Sequence, residues 1–278
     1  MSRLGAKLTM RTLGVLATMV LGLAGCATNP VTGRSQLMLV SEQYAIAASK
    51  EAYVAQLAPY SERGRINSDP VLTTRVLGIT EKLVAQAITY RPETANWDWE
   101  IKVIDDPKTL NAWAMAGGKM AFYSGLAKTM NTSDDEIAQV MGHEIAHALS
   151  AHTAEKMSVA LASDLALTGL AVASENRLAL GTGTLAAALA VKLPNSRTAE
   201  TEADRIGIEL AAKAGYDPNA AVTLWEKMAK EASGGPPEFL STHPASRSRI
   251  QALAALVPQM MPYYLDKGPR PVYKLNRR

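Results

Sequence analysis

The amino-acid sequence predicts a predominantly helical α+β domain with a small antiparallel sheet. From residue 133 onward, apolar residues recur almost throughout at the three- and four-residue spacing of an α-helix. Residues 97–104 instead alternate between apolar and polar, which is typical of a half-buried strand, and two later apolar runs are joined by a glycine pair. With 278 residues, 47% of them hydrophobic, the chain has enough apolar material for one sizeable core.

The charge distribution argues against a nucleic-acid partner. Arg3, Lys7 and Arg11 account for the whole formal net charge of +3, so the chain beyond residue 25 is neutral. Nucleic-acid-binding domains usually carry a basic patch or stripe. The composition also excludes a disordered chain and a disulfide-stabilised miniprotein, because the apolar content is high and there is a single cysteine.

The first 25 residues are typical of an export signal, since a basic stretch precedes an apolar run over residues 13–24 that is too short for a membrane span. The run ends in LAGC at residues 23–26, which resembles the lipobox of bacterial lipoproteins. This resemblance implies removal of residues 1–25 and acylation of Cys26. The alternative is an uncleaved anchor helix followed by an incidental cysteine.

The residue after the cysteine indicates in which membrane a bacterial lipoprotein is anchored. In bacterial lipoproteins an aspartate at this position favours retention in the inner membrane, and here the residue is Ala27. For a bacterium with two membranes, the resemblance therefore implies a protein held by a lipid anchor on Cys26 at the periplasmic face of the outer membrane. Residues 26–40 then form a lipidated tether, which contains Pro30 and Gly33.

The first half of the chain predicts two helices, a strand and a hairpin. One helix is expected from about Ser41 to Ala58, and a second over 70–90 with Pro70 at a permitted first-turn position. The strand covers 97–104. Two short apolar runs on either side of Gly117-Gly118 predict a β-hairpin.

The second half is almost wholly helical. Ser133 and Glu136 have the spacing of a capping box, so a helix is expected to start there and to run through Ala151. Further helical segments cover 158–193 (one or two packed helices), Ser196–Ala214 before Gly215, 218–231 and Ser246–Leu256. We expect a loop over 233–237, a single catalytic domain over 41–257 and a loosely held C-terminal tail over 258–278.

The segment His143-Glu144-Ile145-Ala146-His147 carries the strongest chemical signal. Residues four apart lie on one face of a helix, so both imidazoles can point at one metal ion with Glu144 beside it. Zinc suits such ligands, and a neighbouring carboxylate can take a proton from the water that zinc activates. The motif predicts one Zn²⁺ per chain with Glu144 as the catalytic base. The competing interpretation is an amphipathic helix with two exposed histidines.

The predicted helix from Ser196 offers a carboxylate pair for the same site. Glu200 and Asp204 are four residues apart and share a helix face, whereas Glu202 points elsewhere. One carboxylate can serve as a third zinc ligand, and a second can orient a ligand imidazole through its free N–H. Acids at this spacing usually mark a solvated face, so the pair is informative only beside the HEIAH motif.

HEIAH followed by ETEAD at residues 200–204 resembles the M48 family of zinc metallopeptidases, which includes the CAAX prenyl endopeptidases. Similar segments, from about residue 29 to 250, are NPVTGRSQLMLVSE, NAWAMAGGKMAFYSGL and STHPASRSRI. The resemblance implies a gluzincin-type zincin metalloprotease domain in which Glu200 is the third zinc ligand and Asp204 supports the site. Integral members of the family have membrane spans; no stretch here is long enough, which favours a soluble periplasmic member.

The other histidines and two arginines have several interpretations. His152 is nine residues from His143 and would lie on the opposite face of a continuous helix, which predicts a surface or capping residue. The resemblance places His243 at the cleft, where it could donate to the oxyanion, cap the zinc at rest, or serve only the loop structure. One of Arg247 and Arg249 could pair with a cleft carboxylate, or both could be solvated.

The strand before the glycine pair suggests how a substrate could bind. An edge strand beside a metal can add an extended peptide as a further strand, which makes Asn111, Ala112 and Trp113 candidate substrate-binding residues. The alternative is an ordinary strand whose tryptophan packs in the core.

Together these features predict a zinc metalloendopeptidase tethered to the outer membrane. The family resemblance implies unfolded or misassembled envelope proteins as substrates, in protein quality control, and makes the outer-membrane assembly machinery a candidate partner. One alternative is a metal-stabilised chaperone or assembly factor with little proteolysis, although such a protein would be expected to lose Glu144. Another is a hydrolase of a non-peptide bond such as a cell-wall amide.

Overall fold

The computed structural model describes residues 26–172, 195–231, 238–244 and 246–276. Within these ranges the protein is predominantly helical, and no helix there is both long and apolar enough to cross a membrane. The strands are β1 (Cys26–Thr28), β2 (Ser35–Leu37), β3 (Glu100–Ile104), β4 (Ala112–Met115) and β5 (Lys119–Tyr123). The α-helices are α1 (Glu42–Ser61), α2 (Pro70–Tyr90), α3 (Ser124–Lys128), α4 (Asp134–Leu149), α5 (His152–Val172), α6 (Arg197–Ala214), α7 (Asn219–Glu231), α8 (Glu238–Thr242) and α9 (Arg247–Leu265).

The three-stranded sheet is mixed, whereas the sequence predicted an antiparallel one. Its strand order is β3-β5-β4, with β4 antiparallel and β3 parallel to the central β5. The predicted hairpin is confirmed, because Gly117 and Gly118 join β4 to β5 with φ of 79° and 80°. Alternation at 97–104 identified a strand there, but alternation cannot specify the partner of a strand. The observed pairing leaves β4 as an edge strand.

The helix that carries the HEIAH motif, α4, lies at the centre of the fold. Its capping box is formed as predicted: the Glu136 N–H donates to the Ser133 hydroxyl (3.2 Å) and the Ser133 N–H donates to the Glu136 carboxylate (2.9 Å). The helix packs against α2, α6, α7 and β4, and its residues from Glu136 to Leu149 are buried. The motif therefore lies in the interior of the protein.

The helices predicted over 41–58, 70–90, 196–214 and 218–231 are confirmed as α1, α2, α6 and α7. Ser196 caps the start of α6, and Gly215 ends it in the left-handed conformation, with φ of 97°. The segment predicted over 158–193 begins within α5. Its later part lies outside the described residues, as do the leader over 1–25 and the loop over 233–237.

The last helix is longer than predicted. It begins after Ser246, as expected, but it continues past Leu256 and through Pro258 to Leu265. Proline removes one backbone hydrogen bond within a helix. Leu253 and Met260 are buried on either side of Pro258, and α9 packs against α6 and α7. This packing stabilises the helix on both sides of the proline, so the helix continues through it.

The C-terminal tail is attached to the domain, contrary to the prediction of a loosely held segment. The backbone N–H of Tyr273 donates to the carbonyl oxygen of Glu81 in α2 (3.0 Å), and Lys274 donates to the Glu81 carboxylate (3.0 Å). Leu275 is buried. The buried Glu81 side chain requires such partners, and the tail supplies them.

Candidate metal centre

Four polar side chains converge in the interior between α4 and α6. His143 and His147 extend from α4, Glu200 lies in the first turn of α6, and His243 follows α8. One nitrogen or oxygen atom from each lies within 4.8 Å of the others, and all four residues are buried. The structure thus brings together the three ligand candidates from the sequence and adds His243 to them.

The spacing of these atoms fits a tetrahedral zinc ion. His143 Nε2 lies 3.1 Å from His147 Nε2 and 3.1 Å from His243 Nδ1. His147 Nε2 lies 3.3 Å from Glu200 Oε1. Zinc–ligand bonds of about 2.0–2.1 Å at tetrahedral angles place neighbouring ligand atoms about 3.3 Å apart. Imidazole nitrogens and a carboxylate oxygen are also the donors that zinc prefers, so this set fits one ion.

The protonation states of two ligand candidates suit a cation. Burial holds the pKa of His147 well below its ordinary value, so its imidazole is neutral. Burial opposes ionisation of Glu200, but the neighbouring His243 and His143 outweigh it and hold the pKa of that carboxyl well below its usual range. Metal ligands must be deprotonated, and both groups are in that form.

Asp204 lies behind His143, where the sequence predicted a supporting carboxylate. Its Oδ1 is 3.1 Å from Nδ1 of His143, while Nε2 of the same ring faces the other ligand candidates. Arg249 donates to both carboxylate oxygens of Asp204 at 2.7 Å, and its Nη1 lies 2.6 Å from Oε2 of Glu200. Of the two arginines that the sequence left open, Arg249 is therefore the one in the site, whereas Arg247 is exposed.

Glu144 lies beside the ligand cluster with one oxygen fixed. Its Oε2 accepts a hydrogen bond from the backbone N–H of Ala114 in β4 (3.2 Å). Its Oε1 is buried, accepts no hydrogen bond from the described residues and lies 3.3 Å from Nε2 of His243. The first oxygen holds the carboxylate in place, and the second is available for a proton.

His243 is held against the other ligand candidates. Its Nδ1 lies 2.8 Å from Oε1 of Glu200, and the Asn195 side chain lies 3.2 Å from the same nitrogen. The ring stacks on Phe239 with centroids 4.5 Å apart. Among the three interpretations from the sequence, this geometry favours the one in which His243 caps the metal.

The predicted surface position of His152 is wrong. The helix α4 ends at Leu149, and Ala151 adopts the left-handed conformation with φ of 54° before α5 begins. A helical projection from His143 does not apply across this turn. His152 is instead 1% exposed, and its Nδ1 lies 2.8 Å from Nδ1 of His147.

The candidate substrate strand borders the cleft beside the metal cluster. The cleft is lined by Asn111, by residues of β4 and by residues of the metal centre, which include Ala112, Trp113, Glu144 and His243. The Trp113 side chain, however, is 5% exposed and packs edge-on against Tyr53 with ring centroids 5.7 Å apart. The packing interpretation therefore describes its side chain, while the β4 backbone forms the cleft edge.

Lys156 and Asn195 are among the cleft residues that the sequence did not reveal. Lys156 follows His152 by four residues in α5 and so shares its face. Burial lowers the pKa of Lys156 to about 8. The four-residue spacing from His152 could have identified Lys156 as a cleft residue only if His152 had first been placed in the site.

A helix with two histidines four residues apart and a glutamate after the first is typical of zinc metallopeptidases, and a glutamate is the third zinc ligand in some of them. Here this site lies in a mostly helical α+β domain. The family model of peptidase family M48 matches residues 71–257. The chain therefore belongs to peptidase family M48, and its cofactor is zinc.

Several curated proteins are similar to this chain. It is 34% identical over 237 residues to mitochondrial metalloendopeptidase OMA1 of Schizosaccharomyces pombe, covering 83% of this chain and 66% of that protein. It is 30% identical over 272 residues to human metalloendopeptidase OMA1, with coverages of 90% and 51%. It is 32% identical over 211 residues to the beta-barrel assembly-enhancing protease of Escherichia coli, with coverages of 72% and 42%. The chain thus spans less than the full length of these relatives, from 42% to 66%.

Proposed function

We propose that the protein is a zinc-dependent metalloendopeptidase that hydrolyses peptide bonds in other proteins. The observation that carries this proposal is the position of Glu144, whose Oε1 accepts no hydrogen bond within the described part of the chain and lies beside the buried cluster of His143, His147 and Glu200. The names of the similar proteins, which are metalloendopeptidases and a protease, support the same activity.

In this proposal His143, His147 and Glu200 hold the zinc ion, and Asp204 orients the His143 ring through Nδ1. When bound, zinc polarises a water molecule and a substrate carbonyl group. The site would supply the cation with an anionic oxygen from Glu200 and an unprotonated nitrogen from His147, while Asp204 fixes the ring of His143.

Glu144 acts as general base and then as general acid. Its Oε1 takes a proton from the attacking water, while the hydrogen bond from Ala114 holds the other oxygen in place. The amine must gain a proton as the C–N bond breaks, and the same carboxyl group delivers it. Because His243 Nε2 lies 3.3 Å from this oxygen, His243 is the residue that has to make room for substrate.

The edge of β4 is the proposed binding surface for an extended peptide. The N–H of Ala114 points away from β5 and is used by Glu144. Backbone groups of alternate residues in a strand face the same edge, so the groups of Ala112 are available to pair with a substrate strand. Asn111 and Trp113 flank this position and shape the cleft.

We further propose that the protein acts in envelope protein quality control. We infer that residues 1–25 are a signal peptide and that a lipid on Cys26 anchors the protein at the periplasmic face of the outer membrane. Unfolded or misassembled envelope proteins are then the substrates, with the outer-membrane assembly machinery as a partner. The name of the E. coli relative, a beta-barrel assembly-enhancing protease, supports this setting. Replacing Cys26 by serine is expected to abolish labelling with radioactive palmitate and to release the protein from sedimenting membranes.

Proteolysis is tested by comparing wild-type protein with Glu144→Gln, both loaded with zinc, on an unfolded envelope protein and on casein. Loss of the general base is expected to slow cleavage by about 10²–10⁴-fold, with zinc content unchanged. Glu226→Gln, which removes an exposed glutamate in α7, is the matched control. Equal rates for wild type and Glu144→Gln would contradict the proposal and favour a metal-stabilised chaperone or assembly factor. Digestion of peptidoglycan without cleavage of either protein would favour a cell-wall amide hydrolase.

A further inference from the structure

A line of side-chain contacts joins the ligand His147 to the N-terminal hairpin, the segment over residues 26–37 that contains β1 and β2. Nδ1 of His147 lies 2.8 Å from Nδ1 of His152. Nε2 of His152 lies 3.0 Å from Oε2 of Glu202 in α6. The His152 side chain is 1% exposed and that of Glu202 is 11% exposed, so both contacts are shielded from water.

The hairpin holds Glu202 through three residues, Asn29, Thr32 and Arg34, of which Asn29 donates to Oε2 at 3.5 Å. The Thr32 hydroxyl donates to Oε1 of Glu202 at 2.5 Å, and Arg34 donates to Oε1 and Oε2 at 3.0 and 3.1 Å. Arg34 also donates to both oxygens of Glu155 at 2.8 and 2.7 Å. A carboxylate whose two oxygens are both engaged in charge-assisted hydrogen bonds has a defined orientation, and here Oε2 is directed at His152.

Metal binding sets the direction of the hydrogen bonds along this line. His147 turns Nε2 toward the other ligand candidates. A metal bound there would require that nitrogen to be unprotonated, which would leave the ring proton on Nδ1. The Nδ1–H of His147 then donates to Nδ1 of His152. His152 consequently carries its own proton on Nε2, which donates to Glu202. Each neutral ring then donates once and accepts or ligates once, which uses both of its nitrogens.

We propose that His152 and Glu202 are positioning residues for the zinc ligand His147, and that the N-terminal hairpin, by holding Glu202, completes the metal centre. The inference rests on the zinc site of the proposed function. Partners of this kind fix the orientation of a ligand imidazole and raise its basicity, and their loss typically costs about 10–100-fold in metal affinity. Glu202 faces away from the ligand cluster, so it acts on the metal only through two imidazoles.

The first test measures zinc affinity by competition with a chromophoric chelator, using the full-length protein and Zn²⁺ alone. Glu202→Ala and His152→Ala are each expected to weaken zinc binding by about 10–100-fold. The matched control is Glu155→Ala, because Glu155 binds the same Arg34 and the same hairpin but, within the described residues, forms no ion pair with a histidine. It is expected to lower the unfolding temperature while zinc affinity stays within about twofold.

The second test reads the tautomers directly. The chain has four histidines, so selective ¹⁵N-histidine labelling gives a short list of ring signals to assign by NMR. In zinc-loaded wild type, His147 is expected as the Nδ1–H form and His152 as the Nε2–H form. A purely structural role for His152 predicts no change at His147 in Glu202→Ala, whereas positioning predicts that its Nδ1–H signal shifts or exchanges faster.

The outcomes separate this inference from the proposed function. Equal zinc affinities for Glu202→Ala and Glu155→Ala, or an Nδ1–H form of His152, would overturn the positioning role while leaving the zinc site intact. Wild-type protein that fails to bind zinc would instead contradict the proposed function. Weaker zinc binding in Glu202→Ala and His152→Ala but not in Glu155→Ala, together with the expected tautomers, would establish the inference.

Discussion

Gly142 in α4 and Gly207 in α6 lie face to face at the level of the HEIAH motif. A Cβ atom on Gly142 would lie 2.8 Å from the carbonyl oxygen of Gly207, and one on Gly207 would lie 2.7 Å from the backbone nitrogen of His143. The two helix backbones therefore touch here. His143 directly follows the first glycine, and Glu200 lies about two helical turns before the second, so this contact sets the distance between ligands on the two helices.

Gly207→Ala tests this relationship. The added methyl group meets backbone atoms, which cannot rotate away, so it must push α4 and α6 apart. We expect a loss of about 1–3 kcal/mol in the free energy of unfolding, measured with denaturant, together with weaker zinc binding. Gly78→Ala in α2 is the control, because a Cβ there meets nothing within 4 Å. It is expected to stabilise the protein by up to about 1 kcal/mol. An unchanged zinc affinity in Gly207→Ala would contradict the role assigned to the glycine pair.

The sequence predicted the parts of the site that are local. The capping box at Ser133 marked the start of α4, and four-residue spacings placed two imidazoles on one face of it and two carboxylates on one face of α6. The meeting of the two helices is not local. It depends on the backbone contact at Gly142 and Gly207, and neither glycine has a distinguishing sequence pattern.

Local sequence patterns could not place two residues of the site, His152 and Arg249. His152 was projected along a helix that in fact ends before the left-handed Ala151. Arg249 shared its sequence context with Arg247, and only the direction of α9 decides which of them is buried. In each case the packing of distant elements decides the outcome, and that information is absent from a short segment.

Glu200→Ala tests the ligand set through metal content. In wild type, zinc is expected to remain at about one equivalent per chain after dialysis. The variant should lose most of its zinc, because the proposed ligand set then lacks its negatively charged member. Metal removal from wild type should lower the unfolding temperature, since zinc binds only the folded site. Glu209→Ala, which removes another glutamate of α6 whose partner is Lys213, should retain its zinc. Undiminished zinc in Glu200→Ala would show that Glu200 is not the third ligand.

Arg249→Met removes the cation that lies between Asp204 and Glu200. Loss of one partner from a buried ion pair typically costs about 3–5 kcal/mol, because the remaining charge stays buried without compensation. We expect a loss of this size in metal-free protein and a smaller one in zinc-loaded protein, where the metal compensates Glu200. Denaturant unfolding with and without zinc measures the difference. Arg247→Met, at an exposed position two residues earlier, should change the unfolding free energy by no more than about 0.5 kcal/mol. Equal losses with and without zinc would show that the arginine does not share Glu200 with the metal.

His243→Ala distinguishes a capping histidine from an oxyanion donor. The Nδ1 atom of His243 lies 2.8 Å from Glu200 Oε1 and 3.1 Å from His143 Nε2, which is within the spacing of the ligand atoms. A fourth protein ligand closes the position that a catalytic site keeps open for water. Removing it should therefore weaken zinc binding and, at saturating zinc, increase the rate of peptide cleavage. Ser241→Ala, an exposed change in the same segment, should alter neither quantity. A fall in kcat with unchanged zinc affinity would contradict capping, because an oxyanion donor contributes to the transition state and not to metal binding.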